Sequence, residues 1–173
     1  MPIVNSCRDL GVIVSSDLSP RLHINNIVLK ANQRTNMILR CFISKDINTL
    51  LHAFVVYVRP LLEFNSVVWS PYFKCDSDAV ERVQRRFTKR LPGLRFCTYI
   101  ERLKKLDLAS LELRRLHCDL LMCYKIVFGL IKLDFDEFFT FNPVGSTRGH
   151  QYKLFKNRGD VNVRKNFFSI RIL

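Results

Sequence analysis

The sequence predicts a mainly α-helical bundle with one short strand near the N-terminus and an irregular, basic C-terminal tail. Apolar residues recur at intervals of three and four over most of residues 20–128, which is the spacing of amphipathic helices. A run of mostly β-branched residues at 10–14 predicts the strand. From residue 134 onward the helical pattern weakens, and Pro, Gly, Phe and basic residues accumulate.

The chain is long enough for a hydrophobic core and is strongly basic. It has 173 residues, of which 48% are hydrophobic, so extensive disorder is excluded. The formal net charge is +13 at pH 7. Such an excess of positive charge is typical of proteins that bind nucleic acid and, less often, of proteins that bind anionic membrane surfaces. A surface that is basic only for solubility is the alternative, although clustering of the cations favours a binding role.

The first helix is predicted to follow the strand after a short turn. Residues 10–14 form the strand, and the polar residues 15–17 end it. Ser19 is the expected N-cap and Pro20 the first helical residue, because proline is tolerated where the amide has no helical partner. Apolar residues at helical spacing then continue to about Cys41.

A second helix is predicted to begin at Asp46, whose carboxylate can cap it. Leu50 and Phe54 are expected to face inward. Pro60 should kink or end this helix, because it removes an amide donor and clashes with the preceding turn. Ser70-Pro71 marks the next break.

A basic helix is predicted over residues 78–90, capped by Asp76 or Ser77 and ended by Pro92-Gly93. Its apolar stripe consists of Val80, Val83 and Phe87, and its remaining surface carries Arg82, Arg85, Arg86, Lys89 and Arg90. We expect one side of this helix to pack on the core and the other to hold a polyanion.

A short helical piece is predicted over residues 99–106 and the longest helix over residues 111–128. Ser110 is the expected N-cap of the long helix, and Gly129 follows its end. Its expected inner stripe consists of Leu113, Leu116, Leu120, Cys123 and Val127.

Other cations are candidates for phosphate contacts. Arg114 and Arg115 lie near the start of the long helix, and Arg148 and Lys153 lie among aromatic residues in the tail. Arginine and lysine can bind backbone phosphates, and exposed aromatics can stack on bases. A solvated helix surface explains any single arginine equally well, but it explains five cations on one helix less easily.

The cysteines indicate neither a disulfide scaffold nor a zinc site. His117, Cys118 and Cys123 come closest to zinc-ligand spacing, but neighbouring residues on a helix point about 100° apart. We interpret all six cysteines as reduced thiols of an intracellular protein that mostly fill the core.

No catalytic residue is visible. Asp134, Asp136 and Glu137 form the densest acidic cluster, which a solvated turn explains better than a two-metal site. The apolar segment 50–69 contains ionisable residues that disfavour a membrane span, and buried helices explain it better.

Several short segments, taken in order, match a family pattern. They are Asp9-Leu10-Gly11-Val12, Ser16-Asp17-Leu18-Ser19, Val58-Arg59-Pro60-Leu61-Leu62-Glu63, Val68-Trp69-Ser70-Pro71, Glu81-Arg82-Val83-Gln84-Arg85-Arg86-Phe87-Thr88-Lys89, Leu111-Glu112-Leu113-Arg114-Arg115, Tyr124-Lys125-Ile126 and Thr147-Arg148-Gly149-His150. This ordered set resembles the C-terminal part of a reverse transcriptase from a LINE-type, non-LTR retrotransposon of the jockey-like kind. The resemblance covers nearly the whole chain.

The resemblance implies a thumb-like helical bundle with four parts. Residues 1–18 would be the end of the palm, 19–97 the thumb-like helices, 98–133 the C-terminal helices and 134–173 a basic, Phe-rich, truncated tail. It also implies the partners, which are an RNA template and the RNA–DNA hybrid duplex formed on it. The location that follows is intracellular, in the nucleus or in a cytoplasmic ribonucleoprotein.

One departure from the family pattern decides what the resemblance can mean. The family's catalytic aspartates lie in an aromatic-x-Asp-Asp turn upstream of the Leu-Gly-Val strand, and this chain has nine residues up to Asp9 and no such motif there. The rest of the palm, the fingers and the endonuclease domain would be missing as well. The resemblance therefore implies a fragment of an RNA-directed DNA polymerase that contributes primer–template binding but does not polymerise alone. Mg²⁺ is implied for the complete enzyme, and no cofactor is expected in this chain.

Three alternatives remain open. In the first, the chain is a protein-interaction module whose basic helix docks on an acidic protein. In the second, it is an intact enzyme that uses the acidic cluster at residues 134–137. In the third, it is a pseudogene product that aggregates because its Phe-rich surfaces lack their normal partner.

Overall fold

Helices dominate the described part of the chain, as the sequence predicts. The structure, a computed structural model, describes residues 4–142, 152–157 and 161–173. In chain order the elements are β1 (Ser6–Asp9), β2 (Val12–Ser15), α1 (Arg21–Cys41), α2 (Ile47–Tyr57), α3 (Arg59–Glu63), α4 (Ser66–Trp69), α5 (Lys74–Lys89), α6 (Tyr99–Lys105), α7 (Leu111–Val127), α8 (Phe135–Phe138), α9 (Asn162–Lys165) and α10 (Phe168–Arg171).

The chain divides into two compact units. The N-terminal unit is Met1–Arg115 and the C-terminal unit is Leu116–Leu173, so that α7 begins in the first and continues in the second. The four-part organisation expected from the sequence stays a prediction. We describe each unit by itself.

A β-hairpin opens the N-terminal unit. β1 and β2 pair antiparallel, with Ser6 opposite Ser15 and Asp9 opposite Val12. The predicted strand at residues 10–14 is shifted, because Leu10 (φ 42°) and Gly11 (φ 90°) form the turn that joins the two strands. No sequence pattern predicts β1, because its four side chains are all exposed and show no apolar alternation.

Local sequence signals set some of the helix ends in the N-terminal unit. The Asp46 carboxylate accepts a hydrogen bond from the Thr49 amide at 2.8 Å and so caps α2, as predicted. α2 ends at Tyr57, just before Pro60, and α3 starts with that proline in its first turn. α1 begins one residue later than predicted, so its N-cap is Pro20 and the predicted N-cap at Ser19 is wrong. The Ser19 hydroxyl nevertheless accepts from the Arg21 amide at 3.4 Å.

The core of the N-terminal unit lies between α1, α2, α3 and α5. Ile24, Phe54, Leu62 and Phe87 are all fully buried there. The rings of Phe54 and Phe87 stack with their centroids 4.4 Å apart, which joins α2 to α5. This packing fixes which side of α5 faces solvent.

A buried polar network joins α5 to α6 and to the start of α7. The Glu81 carboxylate accepts from the Tyr99 hydroxyl and, at 2.9 Å, from the Leu111 amide. The Gln84 amide nitrogen donates to the Tyr99 hydroxyl at 3.1 Å and to the Ala109 carbonyl at 3.0 Å. Burial, and next the hydrogen bond to Glu81, raise the pKa of Tyr99 well above its usual range. The network therefore holds a neutral phenol.

The start and end of α7 are as predicted, but its predicted inner stripe is wrong. The Ser110 hydroxyl accepts from the Leu113 amide at 3.2 Å, and Gly129 (φ 62°) follows the helix end. Leu113, Leu116 and Leu120 are nevertheless 43%, 48% and 49% exposed. The buried side chains of α7 are Leu111, Arg115, Asp119 and Ile126.

An ion pair explains this rotation within the C-terminal unit. Asp119 is buried and accepts from Arg171 of α10, with oxygen–nitrogen distances of 2.9 and 3.1 Å. A buried carboxylate needs such a partner, and this one is distant in sequence. Ile126, Phe139 and Phe168 are buried in the same unit, with the two phenylalanine rings 5.9 Å apart.

The cysteines do not fill the core. All six are free thiols. Cys7, Cys41 and Cys75 are exposed, and the other three are half-buried. The prediction of reduced thiols agrees with this, whereas the prediction that they mostly fill the core is wrong.

Candidate nucleic-acid interface

The basic helix predicted from the sequence is α5, and its two sides divide as expected. The helix begins at Lys74, earlier than the predicted start, and neither Asp76 nor Ser77 is its N-cap. Val80, Val83 and Phe87 are buried. Glu81 and Gln84 are buried beside them, where the polar network described above pairs the Glu81 carboxylate and the Gln84 amide nitrogen.

The exposed side of α5 carries a row of cations. At about 100° per residue, five exposed side chains fall within about one third of the helix circumference. We call this set the α5 cationic face, and it consists of Lys74, Arg82, Arg85, Arg86 and Lys89. Asp78, half-buried, is the one carboxylate within the same arc. The face therefore has a net positive charge.

Most of these cations are available to a ligand. Within the residues that the structure describes, no ion pair holds Arg82, Arg86 or Lys89. The Arg85 guanidinium lies 4.9 Å from the centroid of the Tyr99 ring, which restricts its orientation while leaving its edges exposed. Cations held away from carboxylates lose no protein partner when they bind a phosphate.

Arg90 lies just beyond the end of α5. Its guanidinium donates to the Asn36 side-chain oxygen of α1 at 2.7 Å, and the side chain is otherwise exposed. A bond to a neutral amide fixes the position of this cation without neutralising it. Arg90 therefore lies next to α1, beside the α5 cationic face.

The structure gives Arg114 and Arg115 protein partners. Arg114 makes a bidentate ion pair with the Glu63 carboxylate, in which the Nη2–Oε2 distance is 3.0 Å. Arg115 is buried and donates to the Ser77 hydroxyl at 3.1 Å, on a different side of α5 from the cationic face. Their role as phosphate contacts stays a prediction, and we leave both out of the proposed interface.

Two of the predicted cations belong to the tail. Arg148 lies outside the described residues. Lys153 is exposed in the C-terminal unit, where its backbone carbonyl accepts from the Asn142 amide at 2.8 Å.

Lys74 is the member of the face that sequence reasoning missed. It lies on the same arc as Arg85, but it precedes both predicted caps, so it fell outside the predicted helix. No apolar pattern could have found it, because Asp76 and Ser77 occupy the positions one turn before Val80, where the stripe would have to continue.

The described residues do not fit the Mg²⁺ that the family resemblance implies for a complete enzyme. Within them, no three His, Cys, Asp or Glu side chains converge so that they could hold a metal ion. Asp136 and Glu137 line a cavity of about 500 Å³ that also contains Arg164 of α9. Asp134 is exposed. We derive no catalytic step from this cluster.

In the described ranges, no helix combines the length and the apolar character that crossing a bilayer requires.

Comparisons with known proteins leave the family open. No description of a protein family matches the chain, and no solved structure matches it. The chain is similar to an uncharacterized protein of Caenorhabditis elegans, with 27% identity over 89 residues. The match covers 51% of this chain and 45% of that protein, so the chain spans less than half of the relative's length.

Proposed function

We propose that this chain binds the sugar–phosphate backbone of duplex nucleic acid through the α5 cationic face, without reading base sequence. The observation that supports this most directly is the row of exposed cations on one side of a helix whose other side is anchored in the core. Together with the resemblance to the thumb of a retrotransposon reverse transcriptase, it makes an RNA–DNA primer–template hybrid the preferred ligand. Such a role would place the chain inside the cell, in a nuclear or cytoplasmic ribonucleoprotein.

The spacing of the cations suits a nucleic-acid strand. Arg82 and Lys89 are about 10 Å apart along the helix axis, at a rise of about 1.5 Å per residue. One strand of a duplex advances about 3.4 Å along the duplex axis per phosphate, so an α5 that lies along this axis spans about three phosphates. Arg85 and Arg86 lie between the two ends. The face can therefore contact a short stretch of one backbone.

Long, exposed arginine and lysine side chains favour backbone contacts over base readout. Base readout requires side chains fixed against a groove edge by a defined docking geometry. Phosphate contacts require only charge and reach. We therefore expect affinity that depends steeply on salt and weakly on sequence.

The test is a salt titration of binding to an RNA–DNA hybrid, with RNA and DNA single strands as comparison. The variant Arg82→Gln, Arg86→Gln, Lys89→Gln removes three cations of the face. Each lost phosphate contact should lower the slope of log K against log salt by about 0.9 on a duplex. We expect the triple variant to lose about two to three such contacts.

A matched control variant distinguishes the effect of the α5 cationic face from the effect of net charge. Lys132→Gln, Lys156→Gln, Lys165→Gln removes the same charge from exposed positions of the C-terminal unit. Equal loss of affinity in both triple variants would contradict the proposal and reduce the face to part of a generally basic surface. Hybrid preference that survives the control variant and is lost in the α5 variant would support it.

The same experiment also tests the competing function, which is docking on an acidic protein. An acidic protein that displaces the hybrid at low concentration, while the hybrid shows no advantage over single strands, would favour a protein-interaction module. A single-stranded RNA that binds as well as the hybrid would instead remove the thumb-like role but keep nucleic-acid binding.

A further inference from the structure

A cavity lies where α1 and α5 end, at the segment that leads into α2. Its volume is about 360 Å³. Its polar lining comes from Asn36, Arg40, Lys45 and Arg90, and its apolar lining includes Leu39 and Leu50. This volume lies in the range of small-molecule sites, which begins at about 300 Å³.

Three cations meet in this cavity, and its lining residues include no carboxylate. Arg90 is fixed in place by its 2.7 Å hydrogen bond to Asn36. Like charges at one concavity repel one another unless an anion lies between them, so the arrangement needs an explanation.

Helix dipoles explain two of the three cations but not the third. Arg40 lies in the last turn of α1, and Arg90 follows the last residue of α5, so each interacts favourably with the negative end of a helix. Lys45 immediately precedes Asp46, the N-cap of α2. The Asp46 carboxylate already caps that helix end, so the α2 dipole does not account for a cation in the cavity. An anion in the cavity would be stabilised by Lys45 together with Arg40 and Arg90.

We propose that this cavity binds a phosphate monoester. A dianion gains more from three cations than a carboxylate does, and guanidinium groups donate paired hydrogen bonds to phosphate oxygens. Leu39, Phe42 and Pro92, which line the same cavity and are not buried, offer an apolar surface to the organic part of the ester. The proposal rests on the cavity itself and not on duplex binding by the α5 cationic face. Its ligand is either a free mononucleotide or the terminal phosphate of a nucleic-acid strand.

The test measures binding of adenosine 5′-monophosphate to the full chain by calorimetry at low salt, with adenosine as the comparison without phosphate. We expect saturable binding of the monophosphate and none of adenosine. Lys45→Gln and Arg40→Gln should each lower the affinity for the monophosphate by about tenfold, which is the effect of losing one charge-assisted hydrogen bond. Lys45 is exposed, so its substitution should leave the fold intact.

Two further arms complete the experiment. Lys132→Gln removes a lysine outside the cavity and should leave the affinity for the monophosphate unchanged. A 5′-phosphorylated oligonucleotide is compared with its 5′-hydroxyl form. Tighter binding of the phosphorylated form, lost in Lys45→Gln, would identify the strand end as the source of the phosphate, and equal binding of both forms would leave the free mononucleotide. If the wild-type chain binds neither the monophosphate nor inorganic phosphate, or if Lys45→Gln binds both as well as wild type, the proposal is wrong.

Discussion

α5 and α7 are both amphipathic in sequence, yet only α5 presents its apolar stripe to the core as predicted. In α5 the apolar stripe is buried and the arginines are exposed. In α7 three leucines of the stripe are exposed, while Arg115 and Asp119 are buried. The difference lies in the partners, since Asp119 can be buried only because Arg171, distant in the sequence, pairs with it.

The largest expected difference in stability comes from truncating one apolar side chain in each helix. Phe87→Ala removes a fully buried ring that stacks on Phe54, and it should lower the free energy of unfolding by about 3–5 kcal/mol. Leu120→Ala removes a half-exposed side chain and should change it by less than about 0.5 kcal/mol. Urea denaturation followed by circular dichroism measures both. Similar losses would show that the leucines of α7 are covered in solution.

The next effect concerns the charges that hold α7. Asp119→Asn leaves Arg171 without its carboxylate, and it should destabilise the C-terminal unit by about 2 kcal/mol. Breaking a fully buried pair costs about 3–5 kcal/mol, and the partial exposure of Arg171 lowers that figure. Lys125→Gln, on the exposed side of the same helix, is the matched control, with no measurable change expected. Equal stability of the two variants would argue against a structural role for Asp119.

These two helices also show how far sequence reasoning reaches. Helix ends at Asp46, Ser110 and Gly129 were predictable, because capping involves residues within a few positions of one another. The exposed side of α5 was predictable for a similar reason, since its apolar stripe and its cations alternate within one helix. The likeness to a reverse transcriptase stays a prediction.

Long-range polar contacts were beyond reach. Asp119 is buried because of Arg171, and Glu81 because of Tyr99 and the Leu111 amide. Neither pairing leaves a trace in local spacing. Leucines at helical intervals thus gave the wrong buried side for α7. The cavity that contains Lys45 was missed as well, because three separate segments form it.

A smaller effect is expected from the polar network of α5 at high pH. The pKa of Tyr99 is raised, so its contribution to stability is complete below the unfolded-state pKa of about 10 and is lost as the pH rises further. Tyr99→Phe removes that dependence and, by removing hydrogen bonds to Glu81 and Gln84, costs about 1 kcal/mol at pH 8. Thermal melts between pH 8 and about 11 measure both. Identical pH profiles for the two proteins would contradict a buried, neutral phenol.

The smallest effect is expected at low pH from His23. Its pKa is lowered, first by burial and then by the charges of Arg8 and Lys30, and its Nδ1 accepts from the Ile13 amide at 3.3 Å. The unfolded chain binds the proton more tightly. Stability contributed by the neutral ring is therefore present above about pH 6.5 and lost as the pH falls through the lower folded-state value.

His23→Gln should reduce this loss of stability at acidic pH. The ring of Trp69, the single tryptophan of the sequence, lies 5.2 Å from the imidazole, so its fluorescence reports this site directly. The titration midpoint of that fluorescence should lie below about 6.5 in the wild-type protein. A midpoint at or above that value would show that the imidazole is solvated.

The contact between Glu81 and the Leu111 amide also has a consequence for hydrogen exchange. First-turn amides of a helix lack helical partners and are usually among the backbone amides that exchange fastest with solvent. Here the Leu111 amide is held by a buried carboxylate of another helix, at 2.9 Å. Its proton can exchange only when α5 and the start of α7 separate. In a deuterium-exchange experiment it would thus report the opening of the whole junction, whereas the nearby Leu113 amide, bonded to the Ser110 hydroxyl, would report only fraying of one turn.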